Sequence, residues 1–120
     1  MVSPDPAPTV LVVEDEWLTR AAIASVLREA GWGVLSVGSG EEALAMLEQP
    51  PKIDLVFTDI HLAGSLDGWD VGRACQANGD PPVVYTSGKP PAHSIDAGHF
   101  FAKPYDAAAV EEACRNLLLH

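Results

Sequence analysis

Asp54-Leu55-Val56-Phe57-Thr58-Asp59 is a short apolar run that ends on a carboxylate. A central strand buries Leu55 to Phe57 and presents Asp59 at its C-terminal edge, where open α/β sheets place their chemistry. Three other runs end in equally pointed residues. Thr9-Val10-Leu11-Val12-Val13 leads into Glu14-Asp15-Glu16, Val83-Val84-Tyr85-Thr86 into Ser87-Gly88, and His99-Phe100-Phe101-Ala102 into Lys103-Pro104. If these strands lie parallel in one sheet, four acids, a hydroxyl and a lysine meet around Asp59. Such a cluster suits a divalent cation and a phosphoryl group.

The segments between the runs read as helices. Ile23, Val26, Leu27 and Ala30 follow the i, i+3, i+4, i+7 spacing of one helix face, and Gly31 stands where a helix ends. Val34-Leu35-Ser36-Val37 is a second short strand. Ser39 and Glu42 have the spacing of a capping box, opening a helix with Ala43, Met46 and Leu47 inward. Pro50-Pro51 stops it. The loop His61 to Leu66 leads to a third helix near Asp67 that buries Val71, Ala74 and Cys75. Asn78-Gly79-Asp80-Pro81-Pro82 is a turn. Lys89 to Gly98 is compressed, because Pro90-Pro91 leaves room for only one or two helical turns before His99 opens the fifth strand. Asp106 caps a final helix with Val110, Ala113, Cys114 and Leu117 inward. Strand–helix alternation of this kind predicts a parallel sheet covered on both faces.

The totals agree with one domain. The chain has 120 residues, of which 48% are hydrophobic, enough for a core. No apolar run approaches the roughly 20 residues needed to span a bilayer. Residues 1–8 are polar and proline-spaced, unlike a signal peptide, and read as a lead-in to a domain over 9–120. A cytoplasmic protein is the expectation. The net charge is −10 and no basic stripe is present, which argues against direct nucleic-acid binding. Cys75 and Cys114 fall on apolar helix faces and are expected as buried small hydrophobes, not as a disulfide. His93, His99 and His120 have no metal-ligand spacing. The chain ends with its last helix, so no effector domain is expected to follow.

Taken in order, Val12-Val13-Glu14-Asp15-Glu16, Asp59, Ser87-Gly88 and Lys103-Pro104, each at a strand end, resemble the receiver domain of two-component response regulators. The likeness runs from about Thr9 to His120. It implies a doubly wound five-stranded parallel sheet in the order 2-1-3-4-5, the flavodoxin-like receiver fold, here with a shortened fourth helix. It also implies a signalling domain, not an enzyme acting on other molecules, phosphorylated on Asp59 by a histidine kinase or a histidine phosphotransfer protein. Phosphoryl transfer spreads negative charge over three oxygens, so a lone carboxylate would repel its substrate. The resemblance therefore implies Mg²⁺, held by Asp15, Asp59, Glu14 (through water) and the backbone carbonyl of His61. Lys103 and the Ser87 hydroxyl would bind phosphoryl oxygens. Counting five positions on from Pro82 selects Ser87 over Thr86. The family holds the peptide before its proline cis, which is expected for Lys103-Pro104.

The resemblance further implies a switch. Phe100 stands three residues before the lysine, where many relatives have tyrosine, so its signal would be steric; a plain core role is the alternative. His61 and Lys89, two residues past Asp59 and Ser87, would tune phosphoryl lifetime or be exposed loop side chains. The acids after the first strand could also serve the N-terminal turn of a helix. The loop after Asp59 lacks the commonest proline and is slightly long, which bears on kinase docking. The compressed 89–98 segment puts the usual output face in doubt, and the downstream protein target is not legible. Other functions fit less well. A flavin phosphate would be repelled by Glu14-Asp15-Glu16, and Glu14-x-Glu16 is too long for the nucleophile pair of a haloacid-dehalogenase phosphatase. A docking-only receiver would tend to lose one of Glu14, Asp15, Asp59, Ser87 and Lys103.

Overall fold

Four consecutive residues, Val10 to Val13, are wholly shielded from solvent in the computed structural model of the chain, as a strand covered on both faces requires. The structure describes residues 7–119. The lead-in expected over 1–8 lies, as far as residue 6, outside the described residues, and so does His120. Five strands and four helices alternate: β1 (Thr9–Val13), α1 (Trp17–Glu29), β2 (Gly33–Val37), α2 (Gly40–Leu47), β3 (Leu55–Asp59), α3 (Gly68–Ala77), β4 (Val83–Ser87), β5 (Phe100–Ala102) and α4 (Ala107–Leu118). The strands form one parallel sheet in the order β2-β1-β3-β4-β5, as expected.

Strand alternation sorts the core into two layers. Val10, Val12, Leu55, Phe57 and Val84 pack with Ile23 and Leu27 of α1 and Val110 and Cys114 of α4. Leu11, Val13 and Val56 face the other way, onto Ala43 of α2 and Val71 and Cys75 of α3. Both cysteines are free and buried. The helix faces differ from expectation in one detail: Ala24 is buried beside Ile23 and Leu27, whereas Ala30 is exposed at the α1 C-cap. Gly31 follows with φ 101°, the left-handed conformation that ends helices.

The caps are made by side chains. Ser39 accepts from the Glu42 N–H, but Glu42 returns its carboxylate to the Ser39 hydroxyl, so the expected box is half formed. A full box stands at α3, between Asp67 and Asp70. The larger correction concerns residues 88–99. The shortened fourth helix expected there is absent: the segment consists of bends and a turn, with no helical residue. Pro90 and Pro91 drive their preceding residues toward extended backbone and remove two N–H donors, and Gly98 turns the chain at φ 84°. His99 belongs to this connection, and β5 begins at Phe100. Between α3 and the connection, Trp69 lies tilted by 41° against Tyr85 of β4 and meets His93 edge-to-face, both with ring centroids 4.9 Å apart.

Candidate functional site

The C-terminal ends of β1, β3, β4 and β5 lie side by side, and their terminal residues make the site. Glu14 extends β1 by one residue, donating its N–H to the Val37 carbonyl at 3.1 Å. Its side chain is almost fully buried. Asp59 is the last residue of β3 and is 6% exposed. Asp15 lies on the surface beside them, and its Oδ2 accepts the Ala63 N–H at 2.9 Å, which fastens the loop after β3 to the turn after β1. Carboxylate oxygens of Glu14, Asp15 and Asp59 all fall within 4.8 Å of one another.

Glu16, the third acid of the turn, has a different task. It caps α1, accepting the N–H groups of Leu18 and Thr19 and the Thr19 hydroxyl. The helix-terminus reading of the acidic run thus holds for Glu16, while Glu14 and Asp15 turn to the cluster. The Thr19 bonds hold the Glu16 carboxyl below its ordinary range.

Lys103 closes the cluster. Its Nζ donates to Glu14 Oε1 at 2.6 Å and to Asp59 Oδ2 at 2.7 Å. The Lys103–Pro104 peptide is cis, as expected. The Lys103 N–H donates to the Ser87 carbonyl at 2.9 Å, which extends the β4–β5 pairing to the lysine. Burial opposes the lysine's charge, but the hydrogen bonds it donates to Asp59 and Glu14 outweigh that cost and raise its pKa. Burial pushes the Glu14 carboxyl upward, against its bonds to Lys103 and Glu16. The ammonium is the charge these two carboxylates are built around.

The remaining expected residues have other partners. Ser87 ends β4, wholly buried, and its Oγ accepts the Lys89 N–H at 3.0 Å. Thr86 instead donates its hydroxyl to the Phe101 carbonyl at 2.7 Å, tying β4 to β5. The His61 N–H donates to Asp59 Oδ1 at 3.1 Å, and its ring lies in an exposed residue. The Lys89 side chain is exposed as well. Phe100 is half-buried at the start of β5, in register with Tyr85.

Two contacts were not legible in the sequence. The Ala63 N–H on Asp15 has no side-chain signature. Arg20 donates through Nη1 to the Glu14 carbonyl at 2.7 Å; the only hint is its place one helical turn after the acids. A groove of about 550 Å³ runs from Lys103 and Pro104 along α1, floored by Ile23 and Tyr105 and rimmed by Leu18. A larger cleft, about 750 Å³, lies at the opposite, N-terminal edge of the sheet around Trp32, Asp54 and Pro82, away from the acids.

The donor set fits a hard divalent cation. Three carboxylates converge, with open space for water on the Asp15 side, which suits the octahedral, partly hydrated Mg²⁺. Facing them is a fixed ammonium that can bind an anionic group.

Comparison with known proteins bears on this geometry. Residues 10–115 match the family model described as the response regulator receiver domain. The chain is 28% identical over 121 residues to the two-component response regulator ORR5 of Oryza sativa subsp. japonica, covering 93% of this chain and 90% of that protein. It is 33% identical to a response regulator receiver protein of Sinorhizobium medicae, with a TM-score of 0.85 over 94% of this chain and 95% of that one. The receiver domain of the hybrid histidine kinase CckA is also 33% identical, with a TM-score of 0.78 over 92% of this chain and 98% of that one.

Proposed function

Because the chain belongs to the response regulator receiver domain family, we propose that it is a phosphoacceptor: it takes a phosphoryl group onto Asp59 from a histidine kinase or a histidine phosphotransfer protein. The observation that carries this reading is the joint hold of Lys103 on Glu14 and Asp59, with Asp15 beside them. An Asp59 carboxylate oxygen attacks phosphorus, forming an O–P bond as the donor's N–P bond breaks, and the departing imidazole recovers its electron pair and a proton. Bound Mg²⁺ supplies neutralising charge for the phosphoryl oxygens. Glu14, Asp15, Asp59 and the His61 carbonyl are the residues that would hold it.

The protein's own side chains do the rest. Lys103 offers its ammonium to a phosphoryl oxygen, and Ser87 its hydroxyl. Asp15, fastened by the Ala63 N–H, keeps the loop after β3 against the site. His61 and Lys89, both on exposed loop residues at the mouth, would set water access and phosphoryl lifetime, and Phe100 would follow the movement of Ser87. The domain would then change its grip on a partner protein in the cytoplasm. Net charge of −10 argues against nucleic acid as that partner. Among the described residues no helix is long and apolar enough to cross a membrane.

Beryllofluoride, which mimics the phosphoryl group, tests the reading. In Mg²⁺ it should shift the backbone amide resonances of His61, Ser87 and Lys103. An unchanged amide spectrum at saturating beryllofluoride would contradict the assignment.

A further inference from the structure

Arg20, the fourth residue of α1, holds both ends of the acidic turn. Its guanidinium Nη1 donates to the Glu14 carbonyl at 2.7 Å, and its backbone N–H donates to the Glu16 carbonyl at 2.9 Å. With the Glu14 N–H bound to Val37, and the Glu16 N–H to the Glu14 carboxylate at 3.0 Å, both backbone polar groups of Glu14 are engaged. The guanidinium gets there over Gly38, where an added Cβ would lie 2.9 Å from Nη1. Gly38 is not among the glycines of positive φ. Space for Arg20, rather than backbone freedom, explains a glycine there.

We propose that Arg20 is a positioning residue for the cation and phosphoryl site, fixing the backbone that carries Glu14 and Asp15, and that Gly38 is small in order to admit it. This rests on the functional reading above. A charged donor on a carbonyl is stronger than a neutral one, and outer partners of metal-binding side chains are worth about 10–100-fold in affinity. Charge alone acts the opposite way: a guanidinium near the carboxylates repels a cation, so its loss should tighten binding.

Two substitutions separate geometry from charge. Gly38→Ala keeps the charge but pushes the guanidinium aside, and because the atom it meets is the end of a flexible side chain, the fold should tolerate it. Arg20→Ala removes both hydrogen bond and charge. Mg²⁺ affinity is measured by amide chemical shifts on the full chain, and folding by thermal melts in EDTA. Both variants should bind Mg²⁺ about tenfold more weakly, with Gly38→Ala melting near wild type. Wild-type affinity in either variant, or tighter binding by Arg20→Ala, overturns the inference. A wild-type protein that does not bind Mg²⁺ instead overturns the functional reading on which it rests.

Discussion

Lys103, at the end of β5, reaches across β4 to place its Nζ 2.7 Å from Asp59 Oδ2 on β3. The two strands are not neighbours, so a change at Asp59 acts on β5 without passing through the sheet's hydrogen bonds. Glu14 on the far side of Asp59 is held by the same ammonium, at 2.6 Å.

Removing that ammonium leaves two buried carboxylates facing each other. For Lys103→Met in EDTA the expected loss of stability is about 2 kcal/mol, less than a fully buried pair would lose because the lysine side chain is 27% exposed. Mg²⁺ should restore part of it by supplying a cation in the ammonium's place. Urea denaturation with and without Mg²⁺ measures both. An unchanged midpoint in EDTA would mean that the ammonium contributes nothing to holding the site.

Docking of a phosphodonor protein should depend on the apolar lip beside the site. Trp17 and Leu18 are 63% and 60% exposed at the start of α1, and Leu18 rims the groove that leads to Lys103. Trp17→Ser with Leu18→Ser should slow phosphoryl transfer from a histidine phosphotransfer protein about tenfold, the loss of one apolar anchor in an interface. Phosphorylation by acetyl phosphate, which needs no protein docking, should stay at the wild-type rate. Equal slowing with both donors would place the residues in the site itself.

Two glycines of α3 should differ in how they fail. At Gly72 a Cβ would lie 2.0 Å from the Tyr85 hydroxyl oxygen, a side-chain atom, whereas at Gly68 it would lie 2.3 Å from the Asp59 carbonyl and 2.7 Å from Ile60 Cα, which are backbone. Gly72→Ala should cost about 2 kcal/mol, as overpacking does, and Tyr85→Phe in the same chain should recover much of it. Gly68→Ala should cost more and slow phosphorylation, because Asp59 itself must shift. Denaturation midpoints and phosphorylation rates of the three variants decide it.

The thiols give a pH dependence. Burial pushes Cys75 up to about 11 and Cys114 up to about 12. Both groups are raised above their unfolded value near 9.0, so the unfolded chain releases their protons first. Their contribution to stability is whole below pH 9 and is lost as pH rises toward 11 and 12. Alanine at both positions should flatten the alkaline fall of the denaturation midpoint. A native protein that reacts with a thiol reagent at pH 8 would contradict this burial.

The sheet was legible because Leu55 to Asp59 and its sister runs are short, apolar and closed by chemistry-bearing residues; a strand buried on both faces can hardly look otherwise. The clustered side chains were legible through the family likeness, since their order along the chain is also their order at strand ends. Residues 88–99 were not. Two prolines announce a short helix but do not say whether any turn survives, and the segment instead rests His93 against Trp69 of α3. Arg20 was missed for a related reason: an arginine on a helix has no local mark of its target, which here is a carbonyl reached over Gly38. Glu16 shows the converse. It looked like part of the acidic cluster and is spent on the cap of α1.

The most direct test is the intact mass of wild type and Asp59→Asn after incubation with Mg²⁺ and acetyl phosphate. Wild type should gain one phosphoryl group, EDTA should prevent the gain, and the variant should gain none. A phosphoryl group on Asp59→Asn, or wild-type uptake indifferent to EDTA, would contradict the phosphoacceptor reading.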